Sequence, residues 1–357
     1  MPSPRQSLSV QFALACVVVL ALCGAAVGLD TIRTHGTPSS LSGRITAMDA
    51  VNVELQQGSA ATVKDVPVNL IQLIQYEGEP RDLRKAREHI LEGRYAEAIT
   101  ALGRIKEEPS RPEIQQDIQF YKALVSAKLA LAGSGKIVDA GRMMKAFVDA
   151  NPKNYHYFQA SEIVGDLLVA SRHYAPASDY YARLAKSPWP EFKMRANVAN
   201  GRSLLEQGKT AEALAAFEKV LDDRTDSPAA KRQHLAASVG KAAVLVATKK
   251  PDDAVKQVEE LLKGADTDAT SEDAPLVARA YNVLGAAHRQ AGRDKEALLA
   301  FLHVDLLYSD VPESHAEALA NLAELWDRSH RTERANRARQ TLRERYKDSP
   351  WTKRVEK

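Results

Sequence analysis

The apolar residues of this chain follow two different periods, and the change falls near residue 79. Between Asp30 and Gly78, apolar and polar residues alternate, as in VNVELQQG and TVKDVPVNLIQLIQYEG. Turn-forming residues separate these runs at 36–38 (Gly-Thr-Pro) and at 57–59 (Gln-Gly-Ser). The alternation predicts roughly four or five short strands in this segment.

A strand meander this short must curl to bury one face and protect its edges. Residues 29–78 are therefore predicted to form a small β-barrel domain, and the order of strands and turns resembles the SH3-like and Sm-like barrels. An Sm-like barrel would imply RNA. Lys64 is the only lysine between residues 30 and 78, however, so no basic footprint for nucleic acid is present. No nucleic-acid partner is expected, and we interpret the segment as a packing or docking module.

From residue 79 to about residue 350 the apolar residues recur at helical spacing, beginning with Leu83, Ala86 and Ile90. One phrase occurs three times, as EGRYAEAITAL at 92–102, QGKTAEALAAF at 207–217 and AGRDKEALLAF at 291–301. Its central alanine has counterparts along the whole segment, in steps of 36 to 43 residues: Ala98, Ala140, Ala177, Ala213, Ala254, Ala297 and Ala335. Two helices per step of this length indicate a helical solenoid of about seven repeats.

The repeat resembles the tetratricopeptide repeat, whose step is about 34 residues. The sixth repeat matches the aromatic, leucine, glycine, alanine and second aromatic of that pattern with Tyr281, Leu284, Gly285, Ala297 and Phe301. The fourth matches at Gly201, Gly208, Ala213 and Phe217, although Asn200 replaces the leucine. The resemblance implies a mostly α-helical, right-handed solenoid in which small residues let helices approach and an aromatic ring fills the gap. These motif residues are scaffold.

Residues 1–28 differ from the rest of the chain. Arg5 precedes an uncharged apolar run at 12–28 that ends in Ala-Val-Gly, which indicates an export signal cleaved before Leu29. The alternative is an uncleaved anchor in the inner membrane, since the run is just under the roughly 20 residues that span a bilayer. Both cysteines, Cys16 and Cys23, lie in this segment. We expect an exported protein, periplasmic or secreted, of bacterial type.

No sequence motif for catalysis, a cofactor or a metal emerges. The Gly135-Lys136 pair lacks the glycine and the Ser or Thr of a phosphate loop, because Ala130 and Ile137 occupy those positions. The nine histidines show no metal-ligand spacing, and the common serine-nucleophile motifs are absent. The chain is predicted not to be an enzyme, with a site at the junction of barrel and solenoid as the enzymatic alternative.

The C-terminal part of the chain is basic, with eleven Lys or Arg and five Asp or Glu between Asp327 and Lys357. A terminal repeat needs a polar outer face for solubility, so this region reads first as the cap of the array, followed by a basic tail at 351–357. The alternative is a patch for anionic lipid headgroups or an acidic partner, which would associate the protein with a membrane surface.

The tetratricopeptide resemblance implies that the first helix of each repeat lines a concave groove. The inward positions of the third repeat are Gln159, Glu162 and Asp166. Those of the fifth repeat are apolar, which predicts an apolar centre of the groove: Ala236, Val239, Ala243 and Val246. The partner-binding residues predicted from these positions are Arg195, Arg202, Arg279, Asn282 and Arg289.

The arginines favour an extended acidic protein or peptide segment, because a guanidinium suits carboxylates. The alternative is that they pair with Glu162 and Asp166. The expected function is a non-enzymatic protein-interaction scaffold in the bacterial cell envelope. A structural or assembly subunit that docks through the barrel is the second possibility.

Overall fold

The computed structural model describes residues 29–37, 39–58 and 62–356. The predicted export signal and both cysteines lie outside these residues. In the described ranges, a five-stranded antiparallel sheet precedes fifteen α-helices, as the two sequence periods predict.

The strands are β1 (Asp30–Thr34), β2 (Leu41–Met48), β3 (Asn52–Gln56), β4 (Val63–Pro67) and β5 (Ile71–Gln75). They are ordered β4-β3-β2-β1-β5. Alternation places Ile32, Val53 and Leu55 in the core, all fully buried. A short 3₁₀ turn connects β4 to β5, and these two strands form the edges of the sheet. Hydrogen bonds between the described strands therefore do not close the sheet into a barrel.

The helices of the first four repeats are α1 (Arg81–Leu91), α2 (Tyr95–Gly103), α3 (Pro112–Leu131), α4 (Ile137–Ala150), α5 (Tyr157–Ala170), α6 (Tyr174–Ala185), α7 (Pro190–Glu206) and α8 (Thr210–Leu221). The remaining helices are α9 (Pro228–Ala247), α10 (Pro251–Gly264), α11 (Ala274–Gln290), α12 (Asp294–Leu307), α13 (Pro312–Arg328), α14 (Thr332–Arg345) and α15 (Pro350–Val355). Consecutive helices from α1 to α14 make seven pairs, which we number repeats 1 to 7.

The repeat motif occupies the structural positions that the sequence predicts. Each of the seven spaced alanines lies on the second helix of its pair and is at most 2% exposed. Gly93, Gly208 and Gly292 end the first helices of their repeats with φ between 71° and 75°, a conformation that favours glycine. The Gly135-Lys136 sequence forms the turn between α3 and α4.

The sheet and the first repeats share one hydrophobic core. Ile74 and Tyr76 at the end of the sheet belong to the same buried cluster as Leu83 on α1 and Phe120 on α3. Ion pairing reinforces the contact, since Arg111 beside α3 binds Asp30 through both carboxylate oxygens, at 2.7 and 3.1 Å. Farther along the array, Asn69 donates to Glu191 in the first turn of α7 at 2.6 Å.

The array curves until its two ends meet, which no local pattern in the sequence predicts. The amide of Asp348, between α14 and α15, donates to the carbonyl of Gly133 at the end of α3 over 2.8 Å. The Ser134 hydroxyl donates a second hydrogen bond to the carbonyl of Arg345 at 2.5 Å. We call this contact between residues 133–134 and 345–349 the clasp. It joins repeat 2 to the end of repeat 7, so the solenoid encloses an axial space.

The C-terminal residues extend the array by one more helix. The sequence interpretation ended the solenoid at residue 350 and left 351–357 as a basic tail, whereas Pro350–Val355 form α15. Thr352 is buried and donates to the carbonyl of Tyr346 at 2.6 Å. Ser349 caps the helix by accepting from the amide of Trp351. The packing of α15 on α13 thus covers the inner side of the last repeat.

Candidate functional site

The candidate site is the enclosed axial space, which we call the lumen. Charged side chains on the first helices of five repeats pair or act on one another across it: Lys128 on α3, Glu162 and Asp166 on α5, Arg195, Arg202 and Glu206 on α7, Arg279 and Arg289 on α11, and Glu313, Glu317 and Glu324 on α13. The four predicted arginines are therefore in the lumen, as the tetratricopeptide resemblance implies. Asn282 lies on the same face of α11, but it is 1% exposed.

Three of the predicted arginines are already paired with acids. Arg195 forms an ion pair with Glu162, and the Nη2 atom of Arg202 lies 3.8 Å from Asp166 Oδ1. Arg289 pairs with Glu324 at 2.6 Å and donates to Asn321 at 2.7 Å. The alternative of pairing with Glu162 and Asp166 therefore describes Arg195 and Arg202, whereas Arg289 pairs with an acid of α13.

Asn282 has a structural position. Its Nδ2 atom donates to the carbonyl of Ser314 at 2.9 Å and lies 3.3 Å from Glu317 Oε2. The residue thus connects α11 to α13 below the surface of the lumen. Its prediction as a partner-binding residue stays untested, although the side chain is not available to a partner in this conformation.

Arg279 differs from the other lumen arginines. Among the described residues it has no ion pair within 4 Å and no hydrogen bond from its side chain. Burial lowers the pKa of its guanidinium, and the positive charge of Arg202 lowers it further, while Glu313 and Glu317 act in the opposite direction. A guanidinium that is partly removed from water, and whose N–H groups have no acceptor, can form strong hydrogen bonds with an acceptor group of a ligand.

The walls of the lumen are close enough for their charges to interact across it. Burial acts to lower the pKa of Lys128 on α3, but Tyr95 and the carboxylate of Glu313 on α13 outweigh it and raise that pKa. Burial raises the pKa of Asp166, and Arg202 opposes the increase. Repeat 2 and repeat 7 therefore face each other over a short distance, as the clasp between them requires.

The fifth repeat contributes less to the lumen than its sequence predicts. Of its expected inward residues, Val239 is 1% exposed and packs with Ala280 and Leu284 of α11. Ala236, Ala243 and Val246 are half-buried. The predicted apolar centre is thus reduced to these three residues, because α9 turns part of that stripe toward the neighbouring repeat.

Sequence reasoning missed the acids that face the arginines. Glu206, Glu313 and Glu317 occupy inward positions of α7 and α13, where the same helical spacing that selects Arg202 and Arg279 would have found them. Lys128 was missed because the second repeat matches the motif weakly. Burial raises the pKa of Glu206 and of Glu317, in agreement with their position on the inner face of the repeat array.

A separate cavity of about 640 Å³ lies where the sheet meets α3, near the site of the enzymatic alternative. Its lining includes Asp30, Arg44, Thr46, Arg111 and Glu113. Burial would raise the pKa of Asp30, but hydrogen bonds from Arg111 and from two backbone amides hold it below its usual value. An ionised carboxylate that is already saturated by donors is poorly suited to proton transfer.

Neither a metal-ligand cluster nor a membrane span is found within residues 29–37, 39–58 and 62–356. No group of three or more His, Cys, Asp or Glu converges there as metal ligands would. None of the helices in these ranges combines the length and the hydrophobicity that crossing a bilayer requires.

Comparison with known proteins agrees with the geometry. The tetratricopeptide repeat family model matches residues 165–228, 198–270 and 240–304. No curated protein matches the chain significantly. The helices therefore form a tetratricopeptide-like solenoid that a five-stranded sheet precedes.

Several solved structures are similar to this chain at low identity. A Rap protein complexed with Competence and Sporulation Factor is 13% identical, with 77% of this chain and 78% of that chain covered and a TM-score of 0.52. A tetratricopeptide repeat protein from Parabacteroides merdae is 14% identical, with coverage of 77% and 95% and a TM-score of 0.47. The C-terminal part of a repeat protein from Cytophaga hutchinsonii is 13% identical, with coverage of 77% and 99% and a TM-score of 0.38.

Proposed function

We propose that this protein is a non-enzymatic interaction scaffold that binds a protein or peptide partner in the lumen of its repeat array. The observation that carries the proposal is Arg279, whose guanidinium faces the lumen without an ion pair among the described residues. Such a group is costly to bury and gains when a ligand supplies an acceptor. The Rap protein of similar fold was solved as a complex with a second molecule, which supports binding as the role of such an array.

The chemistry of the lumen favours a partner with both kinds of charge. The sequence favours an acidic segment, but acids from α5 and α13 already neutralise Arg195, Arg202 and Arg289. Arg279 offers donors to a carboxylate, while Glu206 on α7 and Glu313 on α13 keep solvent-accessible side chains, although the surrounding array partly desolvates Glu206. We propose a segment that places an acidic group at Arg279 and a basic group beside these glutamates.

The lumen is tested by capturing partners from a cell extract with the immobilised protein and two variants. Arg279→Ala removes the unpaired guanidinium, and we expect the captured partner to be lost or weakened by about tenfold, as is typical of one lost charge-assisted contact. Arg142→Ala is the matched control, since Arg142 on α4 has a largely exposed side chain and pairs only with Asp139 of its own helix. Equal capture by all three proteins would contradict binding in the lumen.

Export to a bacterial cell envelope is a further part of the proposal, supported by the apolar run at 12–28 and the small residues Ala-Val-Gly that end it. The mass of the protein recovered from its native cell is expected to correspond to a chain that begins at Leu29. Recovery of the full-length chain in the membrane fraction would instead support the uncleaved anchor, and a full-length chain in the cytoplasm would contradict export.

Two features support docking through other surfaces, as in a structural or assembly subunit. Strand β4 is an edge of the sheet, and its Val63 is 48% exposed, so this edge can accept a further strand. At the other end, Arg331, Arg337 and Arg343 are exposed on or beside α14, which agrees with either a polar cap or a surface for anionic lipids.

A further inference from the structure

The sheet lies against one end of the lumen. Arg111 at the start of α3 binds Asp30, and Glu191 at the start of α7 accepts from Asn69. Between them, Val51 packs in a cluster with Phe158 on α5. The sheet therefore contacts the amino-terminal ends of three successive lumen helices.

His35, just after the end of β1, is influenced by charges on the far side of the array. His35 follows β1, and its pKa is lowered by burial and by the charges of Arg232 and Arg195, against that of Glu272. Arg232 lies near the start of α9, and Glu272 immediately precedes α11. The charges at the start of α9 and of α11 thus act on His35 from the same end of the array at which α3, α5 and α7 contact the sheet.

The side of the lumen is closed as well. The clasp joins the α3–α4 turn to the α14–α15 loop, and Gly93 in the α1–α2 turn lies beside the loop before α13, where an added Cβ would be 3.6 Å from Asp310 O. Repeats 1 and 2 therefore rest on repeats 6 and 7. In a groove of open shape, a folded partner could dock from the side, but this arrangement leaves no lateral entrance at the clasp.

We propose that the lumen is a blind channel, which the sheet closes at one end and the clasp closes along its side, and that its partner is an extended chain segment inserted by a free end. The inference rests on the proposed function, because it names the kind of partner that the lumen takes. A folded domain would require the clasp to open first.

The access route is tested with a single reactive thiol inside the lumen. In the full chain, Cys16 and Cys23 are replaced by serine, and Arg279→Cys places the thiol between α7, α11 and α13. Leu306→Cys in the same background is the control, since Leu306 on α12 is 72% exposed. Each protein is treated with a small maleimide, with a linear polyethylene-glycol maleimide, and with a maleimide fixed by a short tether to a folded carrier protein.

We expect the small and the linear reagents to label both positions, whereas the carrier-bound reagent labels only position 306. Equal labelling of both positions by the carrier-bound reagent would overturn the closed lumen. Failure of the linear reagent at position 279, with the small one still reacting, would overturn insertion of a chain end. Either result leaves binding on the inner face possible, because the capture experiment with Arg279→Ala tests that separately.

The clasp itself is tested by two alanine substitutions at glycines of similar backbone. Gly133 has φ 82°, and a Cβ there would lie 2.4 Å from the Cβ of Ser349, so Gly133→Ala must displace the loop. Gly208 has φ 75° with nothing within 4 Å of an added Cβ, so Gly208→Ala imposes similar backbone strain without touching the clasp.

Gly133→Ala is expected to speed labelling of position 279 by the carrier-bound reagent by about tenfold or more, because the rate follows the population of the open form. Gly208→Ala should leave that rate unchanged. Ser134→Ala is the milder variant, since it removes only the hydrogen bond to Arg345 O and is used if Gly133→Ala does not fold. No acceleration in a folded clasp variant would overturn the clasp as the lateral barrier.

Discussion

Replacing Phe217 by alanine is expected to lower the free energy of unfolding by about 3–5 kcal/mol. The ring is fully buried and lies between two helices that approach through glycine. A Cβ on Gly201 of α7 would be 2.7 Å from the ring, and one on Gly240 of α9 would be 2.4 Å from it. Neither helix has a side chain at this point that could fill the cavity, so the site cannot collapse and the loss should be near the upper end of the range.

Chemical denaturation followed by far-UV circular dichroism measures this loss. The control is Leu306→Ala on α12, where the side chain is 72% exposed and the expected change is within about 0.5 kcal/mol. Because repeat arrays do not always unfold in one step, hydrogen exchange of α7, α8 and α9 locates the loss at the interface of repeats 4 and 5. An unchanged denaturation midpoint would mean that the ring is not the wedge between these repeats.

The contacts of Phe217 illustrate what the sequence can predict. The pairing with Gly201 follows from the tetratricopeptide spacing, because both residues belong to the motif of one repeat. The contact with Gly240 does not, since the fifth repeat keeps little of the motif beyond its alanine. The residues at the interface between two repeats must fit the surface of the adjacent repeat. The motif of one repeat gives no information about that adjacent surface.

The candidate site shows the same limit. Helical spacing assigns Arg195, Arg202, Arg279 and Arg289 to the inner face, because that face follows from the periodicity of each helix. Which of them keeps an unpaired guanidinium depends on the acids that neighbouring repeats supply, such as Glu162 for Arg195 and Glu324 for Arg289. The clasp between Gly133 and Ser349 depends on curvature accumulated over the whole array, which is a sum of small rotations that no local sequence pattern encodes.

A buried charged network between the sheet and the first repeats was also missed by the sequence patterns. Arg87 on α1 is 2% exposed and donates to Glu79 at 2.5 Å. Its other nitrogen binds Asp117 on α3, which is fully buried. Tyr155 lies 3.4 Å from the same carboxylate, and the Arg87 guanidinium faces the ring of Tyr121 at 5.1 Å. The helical spacing of apolar residues on α1 predicts that Leu83 and Ala86 are buried. The same pattern predicts that the charged residue at position 87 is exposed to solvent, which it is not.

Replacing Arg87 by methionine is therefore expected to lower the free energy of unfolding by about 3–5 kcal/mol, because two buried carboxylates lose the charge that compensates them. Arg84→Met is the matched control on the same helix. The Arg84 side chain is 49% exposed and lies 3.8 Å from Glu79, so its loss should cost less than about 1 kcal/mol.

Removing a second charge distinguishes two causes of destabilisation: the loss of packing around Arg87, and a buried carboxylate left without its ion-pair partner. The double variant Arg87→Met and Asp117→Leu should be less destabilised than the sum of its two single variants, since each single change leaves a buried charge that the double change partly removes. Thermal or chemical denaturation of the four proteins gives the coupling. Strict additivity, or a loss no larger than that of Arg84→Met, would show that the network does not hold α1 and α3 together, and that the apolar contacts of Leu83 and Phe120 suffice to seat the sheet on the array.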